Sequence, residues 1–404
     1  MANNMQEIIN LMLSAIDYLP NPPRESLKKE FIKIKEMILE NRAPRIMVVG
    51  RRGAGKSSLI NAIFNDQVAS VGSVLSETGK AHWHNFKNNK GTIRILDTRG
   101  LGDRTKPESS NFETAIEEIK NEIAKECPDA LLFLCKAKEV DAHITEDLRN
   151  VLTVKAFVQA KHSYPLPLIA AVTQVDELDP KRIDAPFEND QKQANIASAV
   201  KAINDACISD GVEAMKTIPV CAYAEYDNGH MTYNSYWNID MLVEFLVEML
   251  PNSAQIQLAR ISSFRKIQAK FSRVLVGSTA TVCAGIAAIP IPIADIIPIT
   301  AAQIGMIMGI GYIAGREMSK ESAKEFLVAL GVNVGTGFVL REAARALIKF
   351  VFPGIGEVVS AGVAFAGTWG IGAAAIAYFI DGKSIEDSKK AFSIAKEKHK
   401  SVEN

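Results

Sequence analysis

The chain carries no net charge: 46 lysines and arginines are balanced by 46 aspartates and glutamates. No polyelectrolyte partner is implied by that balance, and DNA binding is not expected. Cysteine is scarce. Cys127, Cys135, Cys207, Cys221 and Cys283 are the five present, none in a CxxC pair, which argues against a disulfide framework and suits a reducing cytosol. His82 and His84 flank Trp83 with strand alternation, but no other His or Cys sits at ligand spacing. Two surface imidazoles are expected there rather than a metal centre. Tandem repeats and low-complexity tracts are missing. The opening residues, Met1 to Glu7, lack the charged-then-apolar pattern of a secretory signal, so a cytoplasmic location is expected.

What is present begins with Gly50-Arg51-Arg52-Gly53-Ala54-Gly55-Lys56-Ser57, a complete G-x-x-x-x-G-K-[ST]. Arg45 to Val49 before it reads as a buried parallel strand, and Ser58 to Phe64 after it as the first turns of a helix. A strand ending in such a loop aims successive backbone N–H groups and the positive end of a helix dipole at one spot, a cradle for phosphate. Lys56 adds a charge for the β- and γ-phosphates, and the Ser57 hydroxyl can ligate Mg²⁺. The expected ligand is a nucleoside triphosphate, held by Gly50, Arg52, Gly53, Ala54, Gly55, Lys56, Ser57 and Ser58.

Further pieces follow in a fixed order. Ile93 to Leu96 is a short strand ending in Asp97-Thr98-Arg99-Gly100, a D-x-x-G. Its aspartate can hold Mg²⁺ through water, and the Gly100 N–H can sense the γ-phosphate and move when it leaves. Ala130 to Cys135 and Leu166 to Val172 are two more apolar strands. The second leads into Thr173-Gln174-Val175-Asp176. A carboxylate there accepts two hydrogen bonds from the N1–H and exocyclic amine of guanine, a donor pair that adenine lacks, so Asp176 is the expected base reader. Ala222, in Val220-Cys221-Ala222-Tyr223, can offer an N–H to the guanine carbonyl; an ordinary strand end explains it nearly as well. Between Phe64 and Ala81, Thr78 is the candidate to contact Mg²⁺ and the γ-phosphate, with Ser73 and Ser76 as rivals. The cofactors expected are therefore GTP or GDP and Mg²⁺, with Lys56, Thr78 and Gly100 in the catalytic roles and Ser57, Thr78 and Asp97 around the metal.

These motifs resemble those of the Era-like GTPases of the translation-factor class. The resemblance implies an α/β P-loop GTPase domain, a mostly parallel sheet with helices on both faces, and hydrolysis of GTP. Gln174 departs from it, standing where most relatives carry lysine; guanine preference is expected to survive with lower affinity. Leu101 follows Gly100 where a water-orienting glutamine stands in other GTPases. Relatives with an apolar residue there complete the site by dimerisation or by a partner, so slow hydrolysis is expected. Gly53 stands where potassium-activated relatives carry asparagine, so potassium stimulation is not expected. Arg51 and Arg52 admit two readings, an arginine finger and solvated loop charges.

Composition divides the rest. Residues 1–41 read as an N-terminal helical segment with Leu27, Phe31, Ile34 and Ile38 on one face, 42–251 as the G domain, 252–273 as a basic connector helix, and 274–404 as an all-α, Ala/Gly-rich domain. Two stretches in that last domain lack charge, 21 residues from Val274 to Ala294 and 23 from Val358 to Ile380. Both pass the length test for a bilayer span. Against that reading, Pro290, Pro292 and Pro298 should break the first, and Asp295 and Gln303 interrupt the continuing apolar run. The segment Ile289 to Gln303, with Met306 to Gly315, is similar to the C-terminal domain of the YcjF type, described as of unknown function. Two functions stay open: a GTP switch whose helical domain docks on membrane lipid or inserts into the bilayer at the inner face of the cell membrane, with homodimerisation across the nucleotide face, and a soluble GTPase whose helical domain is a platform for an unidentified protein partner.

Overall fold

The computed structural model describes residues 23–38, 40–69, 82–97, 115–140, 144–214, 216–262, 264–288, 297–331 and 360–400, with isolated positions before residue 23. The chain divides into two compact units. One is Ala43–Ser262; the other joins Met1–Arg42 to Ser263–Asn404. The first helix, α1 (Pro23–Ile38), belongs to the second unit.

The continuous unit runs β1 (Arg45–Gly50), α2 (Lys56–Phe64), β2 (His82–Asn88), β3 (Gly91–Asp97), α3 (Ala115–Lys125), β4 (Ala130–Lys136), α4 (Ile144–His162), β5 (Leu168–Thr173), α5 (Asp190–Ser209), β6 (Lys216–Pro219), a hairpin of β7 (Ala224–Asp227) and β8 (His230–Asn234), then α6 (Ile239–Met249) and α7 (Asn252–Ser262). Six strands form one sheet in the order β2-β3-β1-β4-β5-β6. All neighbours pair in parallel except β2, which returns antiparallel along β3. Parallel strands covered on both faces read as unbroken apolar runs, and every residue of β5 is buried. Met47, Leu131, Phe133, Leu168 and Val172 pack with Ile119, Ile123, Leu148, Val151 and Ile203 of the flanking helices in one core. Each such side chain contributes about 1.5–3 kcal/mol by leaving water. Because the strands run parallel, the loops after β1, β3, β4, β5 and β6 emerge at one end of the sheet, where ligands bind in folds of this kind.

Residues 252–273 form two helices rather than one connector. The first, α7, lies in the sheet-containing unit, and the second begins at Arg265. Arg260 is buried, its Nε donating to the Lys90 carbonyl at 2.5 Å in the β2–β3 turn. In the sequence it is one charge of a basic connector, open to a membrane surface or a solvated face; in the structure a backbone carbonyl takes it inside the fold.

The helical unit adds α8 (Arg265–Ala287), α9 (Ile297–Ile313), α10 (Lys320–Ala329), α11 (Ala361–Phe379) and α12 (Ile385–Lys400) to α1. On α1, Leu27, Phe31 and Ile34 are buried. Among the described residues, α11 alone is long and apolar enough to cross a membrane, and 67% of its most apolar stretch is buried inside the protein. The two apolar stretches meet directly: a Cβ on Gly372 of α11 would lie 2.3 Å from Val276 Cγ2 of α8. Gln303, a polar residue in the apolar run, is buried and donates through Nε2 to Thr368 Oγ1 at 3.0 Å. Pro298 sits in the first turn of α9, where its missing N–H breaks no helical bond. Pro290, Pro292 and Asp295 lie outside the described residues.

Candidate nucleotide-binding site

The loop after β1 is shaped by three glycines. A Cβ on Gly50 would lie 2.9 Å from both Leu134 Cβ and the Leu134 carbonyl oxygen, so only glycine lets the chain leave β1 against β4. Gly53 and Gly55 have φ of 78° and 82°, left-handed conformations that cost a side chain roughly 1–2 kcal/mol. The Ala54 N–H closes the turn onto the Arg51 carbonyl at 3.0 Å, and the Leu59 N–H makes the first helical bond to Gly55 at 2.9 Å. Lys56 Nζ donates to the Gly50 carbonyl at 2.9 Å, bringing its ammonium back over the loop. Ser57 and Ser58 lie half-buried in the first turn of α2, where backbone N–H groups have no helical acceptor, and Arg52 is exposed. Lys136 Nζ also stands 3.2 Å from where a Gly53 Cβ would be, so backbone donors and cations gather at this loop, and its chemistry fits a polyphosphate.

Arg51 is committed elsewhere. Its guanidinium makes two bonds to Asp147 in the first turns of α4, Nε to Oδ2 at 2.8 Å and the terminal nitrogen to Oδ1 at 3.2 Å. In this conformation the Arg51 guanidinium faces Asp147.

The segment after β5 is stitched to this loop. Thr173 is buried, with Oγ1 2.9 Å from the Ala54 carbonyl oxygen and 3.3 Å from that of Cys135. Gln174, at φ 57°, donates through Nε2 to the Gly53 carbonyl at 2.6 Å. Asp176 sits in the 3₁₀ turn Val175–Glu177. Its carboxylate accepts from the Cys221 thiol at 3.3 Å, which brings the Val220–Tyr223 segment, and Ala222 with it, beside the aspartate. Burial and the Asp176 carboxylate push the Cys221 thiol up to about 12, so it stays a neutral donor.

Three residues here escaped the sequence reading. Cys221 reads in the sequence as a reduced thiol within the Val220–Tyr223 segment, with no signal that its Sγ meets Asp176. Lys192 of α5 donates from Nζ to the Asp176 carbonyl at 2.7 Å and to Leu178 at 2.5 Å, nothing near it in sequence marking it. Asn61 is buried on α2, donating to the Ala69 carbonyl at 2.7 Å and accepting from the Val68 and Ala69 N–H groups at 3.0 and 2.7 Å. It fixes the chain where residues 66–69 lead toward the Thr78 region. An asparagine facing inward from an apolar helix was the available signal.

Thr78, its rivals Ser73 and Ser76, Gly100 and Leu101 lie outside the described residues. Asp97 ends β3 in register with Val48 of β1 and His82 of β2, its side chain outside the description. The His82 and His84 rings are tilted by 43° with centroids 4.0 Å apart, and burial lowers the His84 pKa.

Two family patterns match the chain. One, described as 50S ribosome-binding GTPase, covers residues 45–164. The other, a domain of unknown function called DUF697, covers residues 254–401. Residues 45–164 thus match a P-loop GTPase domain and residues 254–401 a DUF697 domain. The GTPase is 27% identical over 177 residues to the tRNA modification GTPase MnmE of Thermotoga petrophila, 43% of this chain and 36% of that protein. It is 24% identical over 213 residues to the protein YfjP of Escherichia coli K12, 52% of this chain and 63% of that one. It thus spans about a third of the length of the MnmE relative. A solved structure of Era in complex with MgGDPNP and a piece of 16S ribosomal RNA aligns at 17% identity over 60% of this chain and 68% of that one, with a TM-score of 0.34.

Proposed function

We propose that this GTPase is a slow guanine-nucleotide switch that binds GTP with Mg²⁺ and hydrolyses it to GDP. The observation that carries the reading is the pair of side-chain contacts from Thr173 and Gln174 to the carbonyls of Ala54 and Gly53. They make the phosphate loop and the base-reading turn one frame, so a ligand must satisfy both ends at once. Lys56 and the loop N–H groups hold the β- and γ-phosphates, and Asp176 accepts from the guanine edge. Ser57, Thr78 and Asp97 would hold Mg²⁺, which would neutralise charge developing on the phosphate oxygens. Ala222 offers its N–H to the base carbonyl, and Gly100 senses the γ-phosphate. Hydrolysis is slow because Leu101 cannot orient water and Arg51 is spent on Asp147.

For the helical unit we favour a platform for a protein partner, in the cytoplasm. The burial of α11 and its close approach to α8 support that reading. Docking on membrane lipid at the inner face of the cell membrane would require opening this packing, a change that GTP binding could drive only through differential affinity for the opened state. Dimerisation through the nucleotide face is the proposed source of the missing catalytic group. The names of MnmE and Era tie those proteins to RNA; this chain's balanced charge gives no matching signal.

Steady-state GTP hydrolysis, with and without liposomes over a range of protein concentrations, separates these readings. A slow rate indifferent to lipid supports the platform. Lipid stimulation that steepens with concentration supports docking with dimerisation. Wild-type turnover in Lys56→Ala would refute the site.

A further inference from the structure

We propose that Lys192 is the positioning residue that holds the guanine-reading turn in shape. The inference rests on Asp176 being the base reader. Lys192 lies in the first turn of α5, with its own N–H bonded to the Asn189 side chain at 3.0 Å. Its side chain is fully buried. Burial of an ammonium is costly unless its donors are satisfied, and here desolvation lowers its pKa while the Asp176 charge opposes that. Two donors go to the carbonyls of Asp176 and Leu178, at 2.7 and 2.5 Å. One carbonyl belongs to the central residue of the 3₁₀ turn and the other to the residue that ends it, so a single cation ties the carboxylate-bearing residue to the turn's exit.

The remaining contacts close a ring around the same residue. The Lys192 ammonium stands 5.2 Å from the centre of the Phe187 ring, within cation–π range. Phe187 is fully buried and meets Trp237 edge-on with centroids 5.3 Å apart. Trp237 pairs with Cys221 through both backbone bonds, at 3.1 and 3.0 Å. The Cys221 thiol then returns to the Asp176 carboxylate at 3.3 Å. The backbone of Asp176 is therefore held from α5 and its carboxylate from the strand-end segment, and Phe187 and Trp237 join the two supports. A buried lysine whose donors end on carbonyls of the base-reading turn is placed to set the angle at which that carboxylate meets the base.

The discriminating comparison is GDP against IDP, whose base lacks the exocyclic amine and so offers the carboxylate one donor instead of two. Wild-type protein should bind GDP roughly ten-fold or more tighter than IDP, a charged hydrogen bond being lost. Lys192→Met, which keeps the chain's length but donates nothing, should weaken GDP much more than IDP and shrink that ratio several-fold. Lys192→Gln, which keeps one amide donor, should retain an intermediate ratio, and it carries the test if the methionine variant fails to fold. Inorganic tripolyphosphate, competing for the phosphate loop alone, should bind both variants as it binds wild type. Equal weakening of GDP and IDP, or an unchanged ratio in folded Lys192→Gln, would overturn the proposal and leave Asp176 as base reader intact. Wild-type protein without preference for GDP over ADP would instead sink the guanine reading beneath it.

Discussion

The Gln174 side-chain amide donates to the Gly53 carbonyl at 2.6 Å, tying the Thr173–Asp176 segment to the middle of the glycine-rich loop. Glutamine makes this contact without a charge. Gln174→Ala should weaken GDP binding about two- to ten-fold, the effect of losing one hydrogen bond. Gln174→Lys should bind at least as tightly as wild type. Titration with a fluorescent GDP analogue checks both, and an alanine variant of unchanged affinity would show the contact to be incidental.

In the proposed role Asp176 would meet guanine through an acceptor-only group, so changing its chemistry should change the preferred base. Asp176→Asn places an amide donor at the turn and should favour xanthine, whose carbonyl replaces the exocyclic amine. Competition of XDP against GDP measures the change. A variant that still prefers GDP by the wild-type margin would remove Asp176 from the role.

Gly50 has no room for a side chain. Gly50→Ala drives a methyl against Leu134 at 2.9 Å and must push β1 from β4 or bend the loop. Overpacking of this kind costs about 1–3 kcal/mol. Urea unfolding should show a lower midpoint, and GDP affinity should fall with it.

Arg51 and Asp147 form a two-bond pair in which the arginine side chain is 32% exposed. Solvent screening limits its contribution to about 1 kcal/mol. Arg51→Ala should therefore lower stability slightly and change the single-turnover GTP hydrolysis rate by less than about two-fold. A drop of a hundred-fold or more would instead make Arg51 a catalytic finger.

The Cys221 thiol, pushed up to about 12, holds its proton in the folded state well above the pH at which an unfolded cysteine ionises, about 8.5. Between those values the unfolded chain binds fewer protons, so unfolding is favoured as pH rises. The stabilisation is fully present below about pH 8.5 and is lost as pH climbs toward 12. Urea midpoints should fall more steeply above about pH 9 in wild type than in Cys221→Ser, which has no thiol to ionise. Parallel pH profiles would show that the thiol is not the group responsible.

Much of this protein is written in local sequence. The glycine-rich loop, its lysine and serine, the flanking apolar runs and the Thr173–Asp176 segment are short-range patterns. Each is dictated by backbone conformation and by the ligand chemistry it serves, so strand, loop and helix could be placed without a fold. Leu27, Phe31 and Ile34 showed their buried face by helical spacing alone. Tertiary structure decided the rest, because those outcomes depend on residues far apart in the chain. Arg260 is satisfied by a carbonyl 170 positions away. Arg51 is claimed by Asp147, and Asp176 is steadied by Lys192 and Cys221 from separate elements. An apolar stretch of membrane-spanning length carries no record of what covers it, and α11 is covered by its neighbours in the helical unit because Gly372 lets α8 come close. Composition sets how much apolar surface must be hidden; only packing determines where it goes.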